Sequence, residues 1–343
     1  MDIRALFREN IRLLAPYSTA RDEYGGDFGI YLDANENPYE SGYNRYPDPH
    51  QKALKKRIAE LKSIAPERVF IGNGSDEAID LVYRIFCEPR RHNVVSIAPS
   101  YGMYEVAAHT NDVEFRKVQL DGDFRLDAQK ILDAADENTR AVFLCSPNNP
   151  SGNLLDESEV KKILGHFQGI TVVDEAYIDF AGRPGLLPLL AEYPRLVVLQ
   201  TLSKAWGMAG LRLGLAFADP EIVAMLSRVK YPYNINGVTQ KIVLDRLAEP
   251  DAIHRQTAEI RTEREALLNA LEAFPQIKKA FPSDANFVLV RVDDPRGLYE
   301  ALIAEGVIVR DRSRIKGCEG CLRFTVGTPA ENQRLLDILS RMQ

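Results

Sequence analysis

Thr201-Leu-Ser-Lys-Ala-Trp-Gly-Met-Ala-Gly-Leu-Arg-Leu-Gly214 is the stretch on which the reading of this chain turns. It follows Leu196-Val-Val-Leu-Gln200, a short apolar run that reads as a buried strand. Lys204 then stands among Ser203, Ala205, Gly207 and Ala209, small neighbours that leave room beside a lysine. In an enclosed site a lysine loses hydration, its amine pKa falls, and the neutral amine can attack a carbonyl carbon. Arg212, eight residues on, supplies a planar cation suited to a phosphate. Read in isolation, the same residues are also consistent with a surface lysine and a solvated arginine on a loop.

Working outward, the flanking segments repeat one pattern, a strand followed by a polar turn. Val69-Phe-Ile-Gly-Asn-Gly-Ser-Asp-Glu reads as a strand, a glycine turn and a helix start, with Ile79, Val82, Ile85 and Phe86 as the buried helix face. Gly72 and Gly74 permit tight backbone geometry, and Ser75 is placed to cap the helix, so that free N–H groups face whatever binds there. Asp76 would repel a phosphate unless its side chain turns away. The loop is neither a Walker A loop nor a full G-x-G-x-x-G, because Glu77 takes the third glycine position. Val94–Ala98 is a strand that runs into Tyr101, which is suited either to stacking on a flat ring or to the core. Arg140–Ser146 leads to the rigid Pro147-Asn-Asn-Pro-Ser-Gly152 turn, which carries Asn149. Ile170-Thr-Val-Val-Asp174 ends in an acid, with Tyr177 just beyond. A carboxylate at the end of a buried strand is costly unless it is paired, so Asp174 is expected to have a task.

These strands alternate with helical stretches, which predicts an α/β fold: a mostly parallel central sheet with helices on both faces. The singled-out residues fall at strand C-terminal ends, where open α/β sheets hold their ligands. From about residue 241 the pattern changes to a smaller α+β unit: a long amphipathic helix through Ile253, Ile260, Leu267 and Leu271, then Asn286–Val292, a helix around Leu298 to Ile303, Val307–Arg310, Leu322–Val326 and a final helix. The expected organisation is an arm over 1–30 associated with the small unit, a large unit over 31–240 and a small one over 241–343.

Taken together, the string from Thr201 to Gly214 resembles the Schiff-base segment of fold-type I pyridoxal-phosphate (PLP) aminotransferases. Arg12 to Arg21, LDANENPY (Leu32 to Tyr39), NRYPDP, GNGSDEAID, PSYGMY, SPNNPSG, VVDEAY, SKAWGMAGLRLG, VIVRD and CLRFTVGTPAEN resemble, more narrowly, histidinol-phosphate aminotransferases, over residues 12 to 332. The resemblance implies that PLP is the cofactor and Lys204 the lysine that carries it and shuttles a proton. It implies that Asp174 pairs with the pyridine nitrogen, Asn149 and Tyr177 with the ring O3′, and that Tyr101 stacks on the ring. Gly74, Ser75, Thr201, Ser203 and Arg212 hold the phosphate, with Asp76 in the same loop. Tyr46 reaches the phosphate of the neighbouring subunit, so that the active unit is a homodimer, while Tyr17, Asn149, Arg310 and Arg323 meet the substrate. The implied reaction converts imidazole-acetol phosphate and L-glutamate to L-histidinol phosphate and 2-oxoglutarate. An aromatic aminotransferase and a threonine-phosphate decarboxylase share this scaffold and are the nearest alternatives. The Lys316–Cys321 turn departs from the family pattern, with Glu319 close in sequence to Arg323.

Composition bounds the rest. The 343 residues suffice for two substantial cores. A formal net charge of −6 without a basic block argues against nucleic acid as the main partner. No run approaches the roughly 20 apolar residues of a membrane span, and no apolar leader opens the chain, so a cytoplasmic protein is expected. Neither end has spare length for the DNA-binding module of a non-catalytic regulator, and a nicotinamide oxidoreductase would leave Lys204 unexplained. Cys318 and Cys321 form a C-x-x-C, but the scattered histidines offer nothing to complete a zinc site, and the pair reads as plain reduced thiols.

Overall fold

The computed structural model describes residues 3–18, 20 and 29–342; Thr19 and Arg21 of the opening stretch lie outside the described residues. A seven-stranded sheet runs in the order β1-β7-β6-β5-β4-β2-β3. Its strands are β1 (Val69–Asn73), β2 (Asn93–Ala98), β3 (Glu114–Gln119), β4 (Thr139–Cys145), β5 (Ile170–Asp174), β6 (Leu196–Thr201) and β7 (Leu213–Phe217). Pairing is parallel from β3 through β6, whereas β7 lies antiparallel between β6 and β1. β1 and β6 therefore point the same way, and the C-terminal ends of β1, β2, β4, β5 and β6 gather at one edge with the N-terminal end of β7. The central strands are buried along their whole length, as near-continuous Val, Ile and Leu runs require when both faces are covered.

Each face packs against helices. Helix α3 (Ser75–Phe86) buries Ile79, Val82, Ile85 and Phe86 on one side, with α4 (Met103–Thr110) and α7 (Pro220–Val229). On the other side, α2 (Lys52–Lys62), α5 (Ala128–Ala134) and α6 (Glu157–His166) cover β1, β2 and β4. The short helix expected at the start of the chain is a 3-10 turn over Ile3–Leu6, followed by α1 (Glu9–Arg12). Its packing corrects one expectation. Ile3, Leu6 and Phe7 bury against α3 and α7, the Arg8 N–H donates to Ile85 O at 2.9 Å, and Arg4 and Arg8 pair with Glu221 and Glu88. These residues therefore sit on the large sheet rather than on the small unit, because that is where their apolar face finds a partner.

A four-stranded antiparallel sheet, in the order β10-β11-β9-β8, forms the second layer. It comprises β8 (Ile277–Ala280), β9 (Phe287–Val292), β10 (Arg310–Asp311) and β11 (Cys321–Thr325). Val288, Val290, Leu322 and Phe324 face a core with α9 (Pro250–Leu271), α10 (Pro295–Ala304) and α11 (Pro329–Arg341). Strand alternation then turns Phe287, Leu289, Cys321 and Arg323 to the opposite face. α8 (Gly237–Leu247), capped by the Asn236 side chain, links the two parts of the chain. No helix among the described residues is long and apolar enough to cross a membrane.

Candidate active site

Five strand ends and one strand start converge on a single pocket. After β1 the backbone turns at Gly74 with φ +74°, and α3 begins at Ser75. The cap is therefore Gly74 and not Ser75; no side chain caps this helix, so its first N–H groups stay available to a ligand. Gly214 opposes Gly72 across the β1–β7 ladder, and the Gly74 N–H donates to Arg212 O at 2.7 Å. A Cβ on Gly74 would stand 2.6 Å from Arg212 Nη2, so the glycine is what lets the guanidinium lie over the helix start.

Thr201 and Ser203 close the same end of the pocket, with Thr201 Oγ1 donating to Ser203 Oγ at 3.0 Å. Asp76 does not turn away. Its carboxylate accepts from the Tyr101 hydroxyl at 3.1 Å and pairs with Arg212 Nη2 at 3.5 Å. Tyr101 is positioned by the loops after β2 and β4, which the buried Asn148 side chain ties together through Pro99 O, Ser100 and Ser151.

At the other end, Asp174 is 3 % exposed at the tip of β5. Its oxygens accept from the Tyr104 hydroxyl at 2.7 Å and the Ala176 N–H at 3.0 Å. Burial pushes its pKa up to about 6, against those two hydrogen bonds. No cation is paired with it among the described residues. Tyr104 itself is fully buried, wedged against Phe143, and is a site residue the sequence reading missed: its helical neighbours mark it as core, and only the fold reveals the acid that its hydroxyl meets.

Lys204 stays open to the cavity, yet nearby protein removes enough of its hydration to lower its pKa, and Arg323 and Arg212 push the same way. Its Nζ lies 5.6 Å from the Tyr177 ring centroid. Tyr177 packs edge-on against Phe287 of β9, and the Arg323 guanidinium lies 4.9 Å from that same Phe287 ring. Arg323 Nη1 donates to Asn149 Oδ1 at 2.5 Å, so the small sheet brings its arginine to the asparagine after β4. Glu319, close in sequence, instead accepts from the Gly317 N–H and leaves Arg323 alone. Cys318 and Cys321 are buried beside Phe124 and Phe281, and no group of side chains among the described residues is arranged to hold a metal ion.

The other expected contacts lie apart from this pocket within one chain. Tyr46 stacks on Tyr233 at 4.4 Å and lines a different groove with Asn236 and Lys241. Tyr17 is 71 % exposed near His50 and Arg228. Arg310 is exposed on β10, directly opposite Arg323.

The donor set suits one kind of ligand. Arg212, two hydroxyls and an uncapped helix start offer a phosphate its partners at one end. At the other, a buried carboxylate with spare acceptor capacity suits a protonated ring nitrogen. Both groups line one pocket together with Lys204, and this donor set fits PLP.

The chain matches the model of the family "Aminotransferase class I and II" over residues 33–339. It is 54 % identical over 342 residues to histidinol-phosphate aminotransferase of Parabacteroides distasonis, covering 100 % of this chain and 99 % of that one. The chain belongs to the histidinol-phosphate aminotransferase family. Within that family, the Cytophaga hutchinsonii relative is 51 % identical over 98 % of this chain and 97 % of its own. The histidinol-phosphate aminotransferase of Clostridium acetobutylicum superposes with a TM-score of 0.81 at 26 % identity, over 88 % of this chain and 91 % of that one. The Sinorhizobium meliloti histidinol-phosphate aminotransferase, solved in complex with pyridoxal-5'-phosphate, shares the fold with a TM-score of 0.77 at 21 % identity, over 98 % of each chain.

Behind the site, Glu175 is buried with no cation in contact among the described residues, accepting from Gln200 Nε2 at 2.9 Å and the Leu186 N–H at 2.6 Å. Burial raises its pKa from 4.5 to about 7. A carboxyl with a raised folded pKa adds stability below its unfolded pKa and loses it as pH rises through the folded one. Glu175 is thus expected to cost the apoprotein on the order of 2 kcal/mol between about pH 5 and about pH 8. Glu175→Gln can turn its amide toward the otherwise unpartnered Gln200 Oε1. Thermal melts at the two pH values should show the variant losing less stability than the parent; equal losses would mean that Glu175 does not titrate there.

Proposed function

We propose that the chain is a PLP-dependent aminotransferase of histidine biosynthesis that converts imidazole-acetol phosphate and L-glutamate to L-histidinol phosphate and 2-oxoglutarate. The single observation that carries this reading is Lys204 standing between a phosphate cradle and the buried acid Asp174, in a chain of this family. When bound, the cofactor supplies an electron-poor ring that takes up the electron pair left as a substrate Cα loses its proton. Arg212, Thr201, Ser203 and the first N–H groups of α3, with Gly74 and Ser75 at the turn, hold its phosphate. Asp76 keeps Arg212 and Tyr101 in place for phosphate and ring.

Asp174 holds a proton on the ring nitrogen, and Tyr104 keeps the carboxylate aimed. Asn149 and Tyr177 bond the ring oxygen. Lys204 takes the Cα proton through Nζ; its lowered pKa raises the fraction of free amine that can act as a base. Arg323, half-buried between Asn149 and Phe287, receives the substrate anion with Arg310 beside it. In this assignment residues 31–240 carry the cofactor and 241–343 the substrate arginines.

The working unit in this proposal is a homodimer in which Tyr46 serves the neighbour's phosphate and Tyr17 its substrate side. Support comes from apolar side chains turned to solvent: Ile30, Leu32, Tyr39 and Tyr43 are each more than three-quarters exposed, and Tyr43, Val238 and Ile242 line the groove of Tyr46. The proposed setting is the cytoplasm, where four buried, unbridged cysteines suit a reducing compartment.

The test adds L-histidinol phosphate, L-phenylalanine and O-phosphothreonine separately to the holoenzyme and follows the bound cofactor's absorption in a single turnover. Histidinol phosphate should react with a kcat/KM at least about a hundredfold above the others, equivalent to ~2.7 kcal/mol of discrimination. A faster reaction with phenylalanine or with phosphothreonine would replace this reading with the corresponding alternative.

A further inference from the structure

The hairpin that delivers Arg323 carries more positive charge than a carboxylate needs. β10 pairs antiparallel with β11 so that Arg310 opposes Arg323 and Asp311 opposes Leu322. The ladder continues one residue further, with the Arg312 N–H donating to Cys321 O at 2.9 Å. By alternation Arg310 and Arg312 share the face of Arg323, the face turned to Asn149 and Phe287, while Leu322 enters the small core on the other side. Arg312 is half-buried, and its Nε is buried with no hydrogen-bond partner; Arg323 Nε is in the same condition.

None of the three guanidinium groups pairs with a carboxylate among the described residues, although two acids lie in the same hairpin. Asp311 accepts from the Ser313 N–H at 2.7 Å, and Glu319 from the Gly317 N–H. The pKa of Arg312 falls to about 10, through burial first and then Arg323 and Arg310. Burial lowers that of Arg323 as well, and Arg310 pushes the same way. The charge of Arg312 also reaches the Tyr177 phenol at the edge of the cofactor pocket. Buried, unpartnered donors and mutual repulsion on one face mark a place built for an anion with more than one charge.

We propose that Arg312 is a specificity-determining residue, completing with Arg310 and Arg323 a three-arginine clamp for the dianionic phosphate of the amino donor. The inference rests on the reading of this site as one that accepts a phosphorylated amine, and it adds the residue that separates that amine from its unphosphorylated form. A substrate carboxylate carries a single charge and two oxygens, which one fork satisfies. A phosphate dianion has three terminal oxygens and enough charge to offset the repulsion among the three arginines. Arg312 thus contributes most when phosphate is present and less in the half-reaction with glutamate.

The test compares L-histidinol phosphate with L-histidinol as amino donors to the holoenzyme, in single turnovers with the parent and with Arg312→Gln. The ratio of the two kcat/KM values is read within each protein, so an incompletely active preparation cancels. The parent should favour the phosphorylated donor strongly. R312Q should reduce that preference by about thirtyfold, mainly through KM, and the glutamate half-reaction should fall by a smaller factor. Should the glutamine variant fail to fold, Arg312→Lys retains the charge and the stem, and the preference should still fall by at least about fivefold because a point charge does not reproduce the fork. A preference in the variant within about threefold of the parent's would overturn the role of Arg312 and leave the proposed reaction standing. A parent that does not react with histidinol phosphate would overturn the proposed reaction and this inference together.

Discussion

Lys204→Ala should lower kcat for transamination by at least about 10⁴-fold, the scale at which an enzyme loses both a covalent anchor and its positioned base. Among the described residues, the substitution removes the only amine lining the cofactor pocket. It leaves the phosphate end intact, because Arg212, Thr201, Ser203 and the Gly74 turn are held by their own backbone contacts. The variant should therefore still bind PLP, but without a covalent link. Activity assays alongside cofactor retention on desalting separate these effects. Near-normal transamination by the variant, with no amine added, would show that Lys204 is not the base.

Arg323→Ala should weaken both half-reactions by at least about a hundredfold in kcat/KM, the equivalent of ~2.7 kcal/mol. The bland alternative is a strand arginine paired with a surface acid, worth at most ~1 kcal/mol. The structure argues against that alternative: among the described residues Arg323 has no acid beside it, stacks on Phe287, donates to Asn149 and keeps Nε unpartnered. Truncation removes the partner of the substrate anion and leaves Asn149 Oδ1 without its donor. Arg323→Lys should recover little, since an ammonium cannot supply two parallel donors. Single-turnover kinetics on each half-reaction decide the matter. A loss confined to glutamate would make Arg323 a carboxylate reader and leave phosphate to Arg310 and Arg312.

Much of this site was legible before the fold was known, for a physical reason. In an open α/β sheet the strand ends share one edge, so polar residues just past apolar runs come together even when far apart in sequence. That logic located Gly74, Tyr101, Asn149, Asp174 and Lys204, and all five line one pocket. It did not locate Tyr104, because a tyrosine on the apolar face of a helix has the same local signature whether or not its hydroxyl meets an acid 70 residues away. Arg312 escaped for a related reason: β10 is two residues long, too short to show the alternation that puts Arg310 and Arg312 on one face. The assignment of Ser75 as a cap followed a residue preference that backbone geometry overrode at Gly74. Asp76 was legible as a hazard to a phosphate but not as the partner of Arg212, since that pairing joins residues 136 apart across β1 and β7.

PLP is proposed to sit in this pocket, bonded to Lys204. The most direct measurement is to treat the holoenzyme with borohydride, digest it and locate the reduced cofactor by mass spectrometry. A single modified peptide containing Thr201 to Arg212 is expected, with the added mass on Lys204 and none on the other lysines. A modification on another lysine, or a cofactor released unbound after reduction, would contradict it.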